Sequence, residues 1–71
     1  MNNALIDTVL IKGNYIGTRK NSNFTIRLYL YDDVFYEVWY SQSTYKIEKF
    51  NTLDDSETLN LYIQSMTEKD T

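Results

Sequence analysis

Two alternating runs between Phe24 and Tyr40, FTIRLYLYDDVFYEVWY, constrain the fold more than any other stretch of the chain. Phe24, Ile26, Leu28 and Leu30 alternate with Thr25, Arg27, Tyr29 and Tyr31, the period of two expected of a strand with an apolar and a mixed face. In the second run Val34, Tyr36, Val38 and Tyr40 fall on one side, and Phe35, Glu37, Trp39 and Ser41 on the other. Aromatic and β-branched residues dominate both, which suits a pleated, half-buried surface. The short acidic pair Asp32-Asp33 between them tolerates turn conformations, so a tight antiparallel hairpin is the simplest connection.

With Asp32-Asp33 as the loop, Tyr31 faces Val34, Leu30 faces Phe35, Leu28 faces Glu37 and Ile26 faces Trp39. A one-residue slip would exchange every side chain between faces, so this pairing fixes both. The aliphatic face, Phe24, Ile26, Leu28, Leu30, Phe35 and Trp39, is assigned to the core. Glu37 shares that face, and an ionised carboxylate there needs a cation or several donors. Arg19, Lys46 and Lys49 are the candidate partners, or the position lies at the rim. The alternative is a functional acid with a raised pKa, for which no second catalytic group is visible.

The opposite face carries Tyr29, Tyr31, Tyr36 and Tyr40 around Arg27. This resembles the Tyr and Arg enrichment of protein interfaces, where rings bury area while keeping a polar tip. The other possibility is that cross-strand ring pairs stabilise the sheet beneath a cover, with the N-terminal segment as that cover.

Asn2 to Lys12 has helical spacing at Leu5, Ile6, Val9 and Leu10; Asn2 or Asn3 can cap it and Gly13 can end it in a left-handed conformation. The rival is a strand through Thr8 to Ile11 with a Gly13-Asn14 turn. Tyr15 to Lys20 reads as a strand in which Gly17 suggests a bulge, and Asn21-Ser22-Asn23 returns the chain. The glycines at 13 and 17 lack the full pattern of a phosphate loop. After the turn Ser41-Gln42-Ser43-Thr44, Tyr45 to Phe50 is a fourth strand. Ile47 and Phe50 fall on opposite faces of it unless a bulge intervenes, and that choice decides whether Glu37 meets Lys49, Glu48 or neither. The segment from Thr52 ends in a helix, with Asp54 or Asp55 at its cap, Glu57 in its first turn and a stripe of Leu59, Tyr62, Ile63 and Met66. Leu61 points away from that stripe, and Thr67 to Thr71 is a polar tail. The expectation is one α+β domain spanning residues 1–71. It is a four-stranded antiparallel meander with the C-terminal helix on one face and an N-terminal helix, or strand, completing the cover.

A chain of 71 residues without cysteine or histidine has neither disulfides nor a Cys/His zinc site to support a small core. Self-association, for example as a homodimer, is one source of further stability. The same absences remove the commonest general base and nucleophile, and point to a non-catalytic role without cofactor. Asp32-Asp33 and Asp54-Asp55 already serve as turn and helix cap, so no metal site is assigned. A net charge of −3 with dispersed basic residues argues against nucleic-acid binding. No run is long enough to span a bilayer, and the start lacks signal-peptide features, so a cytoplasmic location is expected.

The stretch FTIRLYLYDDVFYEVWYSQSTYKIEKF, followed by LNLYI, resembles a group of short uncharacterised bacterial proteins with a strand, an acidic turn, an EVWY-type strand, a turn and a terminal helix. The resemblance covers roughly residues 15 to 63 and implies the same meander; it implies no activity. Where that group often has Asp-Gly at the first turn, this chain has Asp33. The Asn-, Lys-, Ile- and Tyr-rich composition is compatible with a bacterium or a phage. The expected function is therefore a small protein-binding module, such as an adaptor, modulator or phage-type inhibitor. Arg27, Tyr29, Tyr31, Tyr36 and Tyr40 are its expected contact residues, and Glu37 is a possible buried acid. Single-stranded nucleic acid stacking on the rings is the alternative, and a carboxylate-based enzyme centred on Glu37 a more distant one.

Overall fold

The computed structural model describes residues 3–68, and the side chains of residues 4–64. The order of elements is α1 (Asn3–Lys12), β1 (Asn14–Asn21), β2 (Phe24–Tyr31), β3 (Val34–Ser41), β4 (Ile47–Leu53) and α2 (Ser56–Glu68). The four strands form one antiparallel sheet in sequence order, so the chain is an α+β meander. The N-terminal segment is a helix. α2 continues to Glu68, so Thr67 and Glu68 belong to it; Asn2, the side chains of Asn3 and Met66, and residues 69–71 lie outside the described residues.

The central hairpin has the expected register, with Tyr31 opposite Val34, Leu28 opposite Glu37 and Ile26 opposite Trp39. Asp32 and Asp33 have φ of 53° and 63°. Two successive left-handed residues define the turn whose twist matches that of the flanking strands, and Asp tolerates them better than most residues.

Each face of the sheet is covered by one helix. Ile26, Leu28, Leu53 and Tyr62 form a buried cluster on the aliphatic face, flanked by Ile16, Phe24, Phe35, Trp39 and Leu59, with α2 as the cover. On the other face Val9 of α1 packs with Tyr29, Tyr36 and Val38, flanked by Leu10, Tyr31, Tyr40 and Phe50. The Tyr36 and Phe50 rings stack at 5.3 Å, and Tyr15 meets Tyr29 edge-on at 5.8 Å. In α2, Tyr62 is buried whereas Ile63 is exposed, so the stripe is narrower than its spacing suggests. Leu59 and Tyr62, three residues apart, share the side that meets the sheet, and Ile63 falls on its flank.

Both outer strands carry a bulge. In β1 the register passes from Tyr15–Tyr29 to Gly17–Leu28, leaving Ile16 as the extra residue. In β4 it passes from Lys49–Trp39 to Ile47–Tyr40, leaving Glu48 unpaired. The second bulge places Ile47 and Phe50 on the same face, since they lie opposite Tyr40 and Val38. It also sets Asn51 across from Glu37, which therefore faces neither Lys49 nor Glu48.

Gly13 ends α1, but not in a left-handed conformation. Its amide donates to the Val9 carbonyl at 2.8 Å, and a Cβ at this position would lie 2.4 Å from that oxygen. The close approach of strand entry to helix end, rather than a positive φ, requires the glycine.

Candidate functional site

The buried acid of the aliphatic face is the hub of a polar cluster. Glu37 is 3% exposed, and its Oε2 accepts from Arg19 Nη2 at 3.0 Å, Arg19 Nε at 3.2 Å and the Tyr62 hydroxyl at 2.7 Å. Its Oε1 accepts from Asn51 Nδ2 at 3.2 Å. Of the three cations expected as partners, Arg19 is the one engaged, because it lies opposite Ile26 in β1 and so on the same face. The Arg19 guanidinium also sits over the Trp39 and Tyr62 rings, at 5.4 and 5.6 Å from their centroids.

Burial alone would raise the Glu37 carboxyl. Hydrogen bonds from Tyr62, Asn51 and Arg19, with the arginine's charge, outweigh it and hold the group below its ordinary value. Burial and then the adjacent carboxylate push the Tyr62 phenol well above its ordinary value. For Arg19 burial works downward, and the Glu37 and Tyr62 contacts more than reverse it. Both carboxylate oxygens are engaged and the side chain has almost no access to solvent, so this centre ties β1, β3, β4 and α2 together. Sequence reasoning found Glu37 and Arg19 but read Tyr62 as packing and missed Asn51; the bulge at Glu48 hid the latter.

The ring-bearing face is not the open patch its composition suggests. Tyr29 and Tyr36 are 8% and 9% exposed beneath α1. Tyr31 and Tyr40 are half-buried at the margin of the same cluster, and Arg27 is exposed. The physical reason is that α1 brings Val9 and Leu10 down onto the rings. Its ten residues span only about 15 Å, against about 26 Å for an eight-residue strand, so the helix covers part of the sheet's length.

Beyond that cover lies a concavity of about 330 Å³, lined by Thr25, Arg27, Tyr40, Ser41 and Tyr45. Arg27 lies over the Tyr40 ring at 5.4 Å from its centroid. Burial first, and then neighbouring Tyr29, raise the Tyr40 phenol above its ordinary value, with Arg27 opposing. Tyr45 is 81% exposed and has a φ of 62°. It was expected to begin the fourth strand; instead β4 starts at Ile47, and Tyr45 closes a loop whose amide donates to the Ser41 carbonyl at 2.8 Å. Ser41 Oγ accepts from the amides of Ser43 and Thr44, both at 3.3 Å, which holds the loop's shape.

A second concavity, at the Asp32-Asp33 end of the sheet, measures about 460 Å³ and is bordered by Asp33, Asp54, Val34 and Leu59 among others. Among the described residues no three His, Cys, Asp or Glu side chains converge as a metal site. Within the same residues no helix is long and apolar enough to cross a membrane. Comparisons with protein-family models, curated proteins and solved structures find no match to this chain.

Proposed function

We propose that the protein is a small, non-catalytic protein-binding module, and that its contact surface is the uncovered end of the ring-bearing face. Arg27, Tyr40 and Tyr45 form that surface, while Tyr29 and Tyr36 support it from below and Tyr31 belongs to the packing under α1. One observation carries the reading: a tyrosine 81% exposed stands beside an arginine-capped tyrosine, at the rim of a concavity that none of the described residues fills. Tyr and Arg bury large area at modest entropic cost, which makes them the residues around which interfaces concentrate their binding energy. The engagement of both Glu37 oxygens supports a structural rather than a catalytic role for the buried acid.

Affinity capture from cells of the source organism tests the surface, using wild type and the double variant Tyr40→Ala/Tyr45→Ala, each with its melting temperature measured. Loss of a captured protein in a variant that still folds is the expected result. Equal recovery by both would place the contact elsewhere.

A second reading is favoured by the same rings together with the nearby cations Lys20, Arg27 and Lys46: bases of a single strand stacking on Tyr40 and Tyr45. The net charge of −3 weighs against it.

A further inference from the structure

We propose that the concavity at Arg27 is a carboxylate subsite, which takes an acidic side chain from an extended segment of the partner protein; the inference rests on the protein-binding reading above. The chain's two arginines are in opposite situations. Arg19 is saturated by Glu37, whereas Arg27 makes no ion pair among the described residues. Its planar group is nonetheless held over the Tyr40 ring, so its donors are oriented before a ligand arrives. A carboxylate is the planar acceptor that such donors match.

Register and sequence set two further basic residues next to those that line the concavity, in a molecule of negative net charge. The register puts Lys20 opposite Thr25, and Lys46 follows Tyr45 in the loop. Of the acids near the subsite in sequence, Glu37 lies on the opposite face with both oxygens engaged, and Glu48, in the β4 bulge three residues after Tyr45, makes no ion pair among the described residues. Asp32, Asp33, Asp54, Asp55 and Glu57 lie at the other end of the sheet, where the β2–β3 turn and the start of α2 meet. A local excess of positive charge selects an anionic group. The remote carboxylates and the net charge repel a long polyanion that would continue past the site, which favours a peptide over a nucleic acid. The exposed Tyr45 ring offers apolar area to the residue beside the acid.

The test uses the full chain, isotopically labelled, and follows backbone amide shifts during titration. The probes are a capped peptide alternating glutamate with leucine and phenylalanine, its glutamine counterpart, and a ten-nucleotide oligothymidylate. The acidic peptide is expected to shift the amides of Thr25, Arg27, Tyr40 and Tyr45. The glutamine peptide, and the variant Arg27→Gln at unchanged melting temperature, should each bind about tenfold more weakly. Arg27→Lys should recover part of the loss. Equal affinity for the acidic and glutamine peptides, tighter binding of the oligothymidylate, shifts confined to other surfaces, or no shift at millimolar peptide would each overturn the subsite. Should a captured host protein depend on Tyr40 and Tyr45 but not on Arg27, the subsite falls and the protein-binding surface stands; dependence on none of the three removes both.

Discussion

The Tyr62 hydroxyl donates a 2.7 Å hydrogen bond to Oε2 of Glu37, joining α2 to the middle of the sheet across 25 residues of sequence. Because Glu37 is 3% exposed, its carboxylate has no ready solvent to replace the phenol when the hydroxyl is removed. Tyr62→Phe should cost about 1.5–3 kcal/mol, the range for a hydrogen bond to a charged group. A double-mutant cycle with Glu37→Gln, read by urea unfolding, should give a coupling of about 1 kcal/mol or more. Additive losses would mean that the two side chains are merely adjacent.

Acid should weaken the fold through the same carboxyl. Glu37 titrates near 4.5 when unfolded and lower when folded, so folding favours its ionised form. That contribution is complete above the unfolded value and disappears as pH falls through the folded one. Asp55, whose carboxylate accepts from the Glu57 amide and the Thr58 hydroxyl, is shifted in the same direction, so its own contribution is also lost in acid, below its ordinary value of 3.8. Melting temperatures of wild type and Glu37→Gln should therefore differ at neutral pH and converge in acid. Parallel curves would show that Glu37 contributes no pH dependence.

At the β2–β3 turn, Asp33 occupies a position with φ of 63° that glycine adopts without steric cost. Asp33→Gly should stabilise the protein by up to about 1 kcal/mol, and a β-branched residue there should do the reverse. Chemical denaturation decides it, and a loss of stability in the glycine variant would show that the Asp33 side chain itself supports the turn.

The corner between α1 and β1 has no room for a side chain. Gly13→Ala should cost about 1–3 kcal/mol, as other insertions into packed sites do, and should speed amide exchange in α1. Wild-type stability would mean that the helix end can shift without disturbing Val9 on the rings.

The central hairpin was legible in the sequence because its alternation and its acidic turn point to one register, and a one-residue error would have buried Arg27. The cap of α2 was legible as far as Asp54 or Asp55, which both sit ahead of the apolar spacing, and the hydrogen bonds select Asp55. The fourth strand itself was legible, with a bulge as one of two alternatives, but its register was not, because a bulge at Glu48 leaves no trace in a seven-residue strand, and Asn51 opposite Glu37 depends on it. Tyr45 was placed in that strand by its β propensity, although its left-handed backbone puts it in the loop. The exposure of Tyr29 and Tyr36 turned on where α1 would lie. A helix pattern gives the side it buries but not the surface that receives it, and here the receiving surface was the ring face.

The two bulges set a limit on how this molecule can meet its neighbours. A fifth strand arriving at either border would pair for part of its length and then fall out of phase at Ile16 or Glu48. Backbone-to-backbone growth is thereby discouraged on both flanks, and recognition is left to side chains.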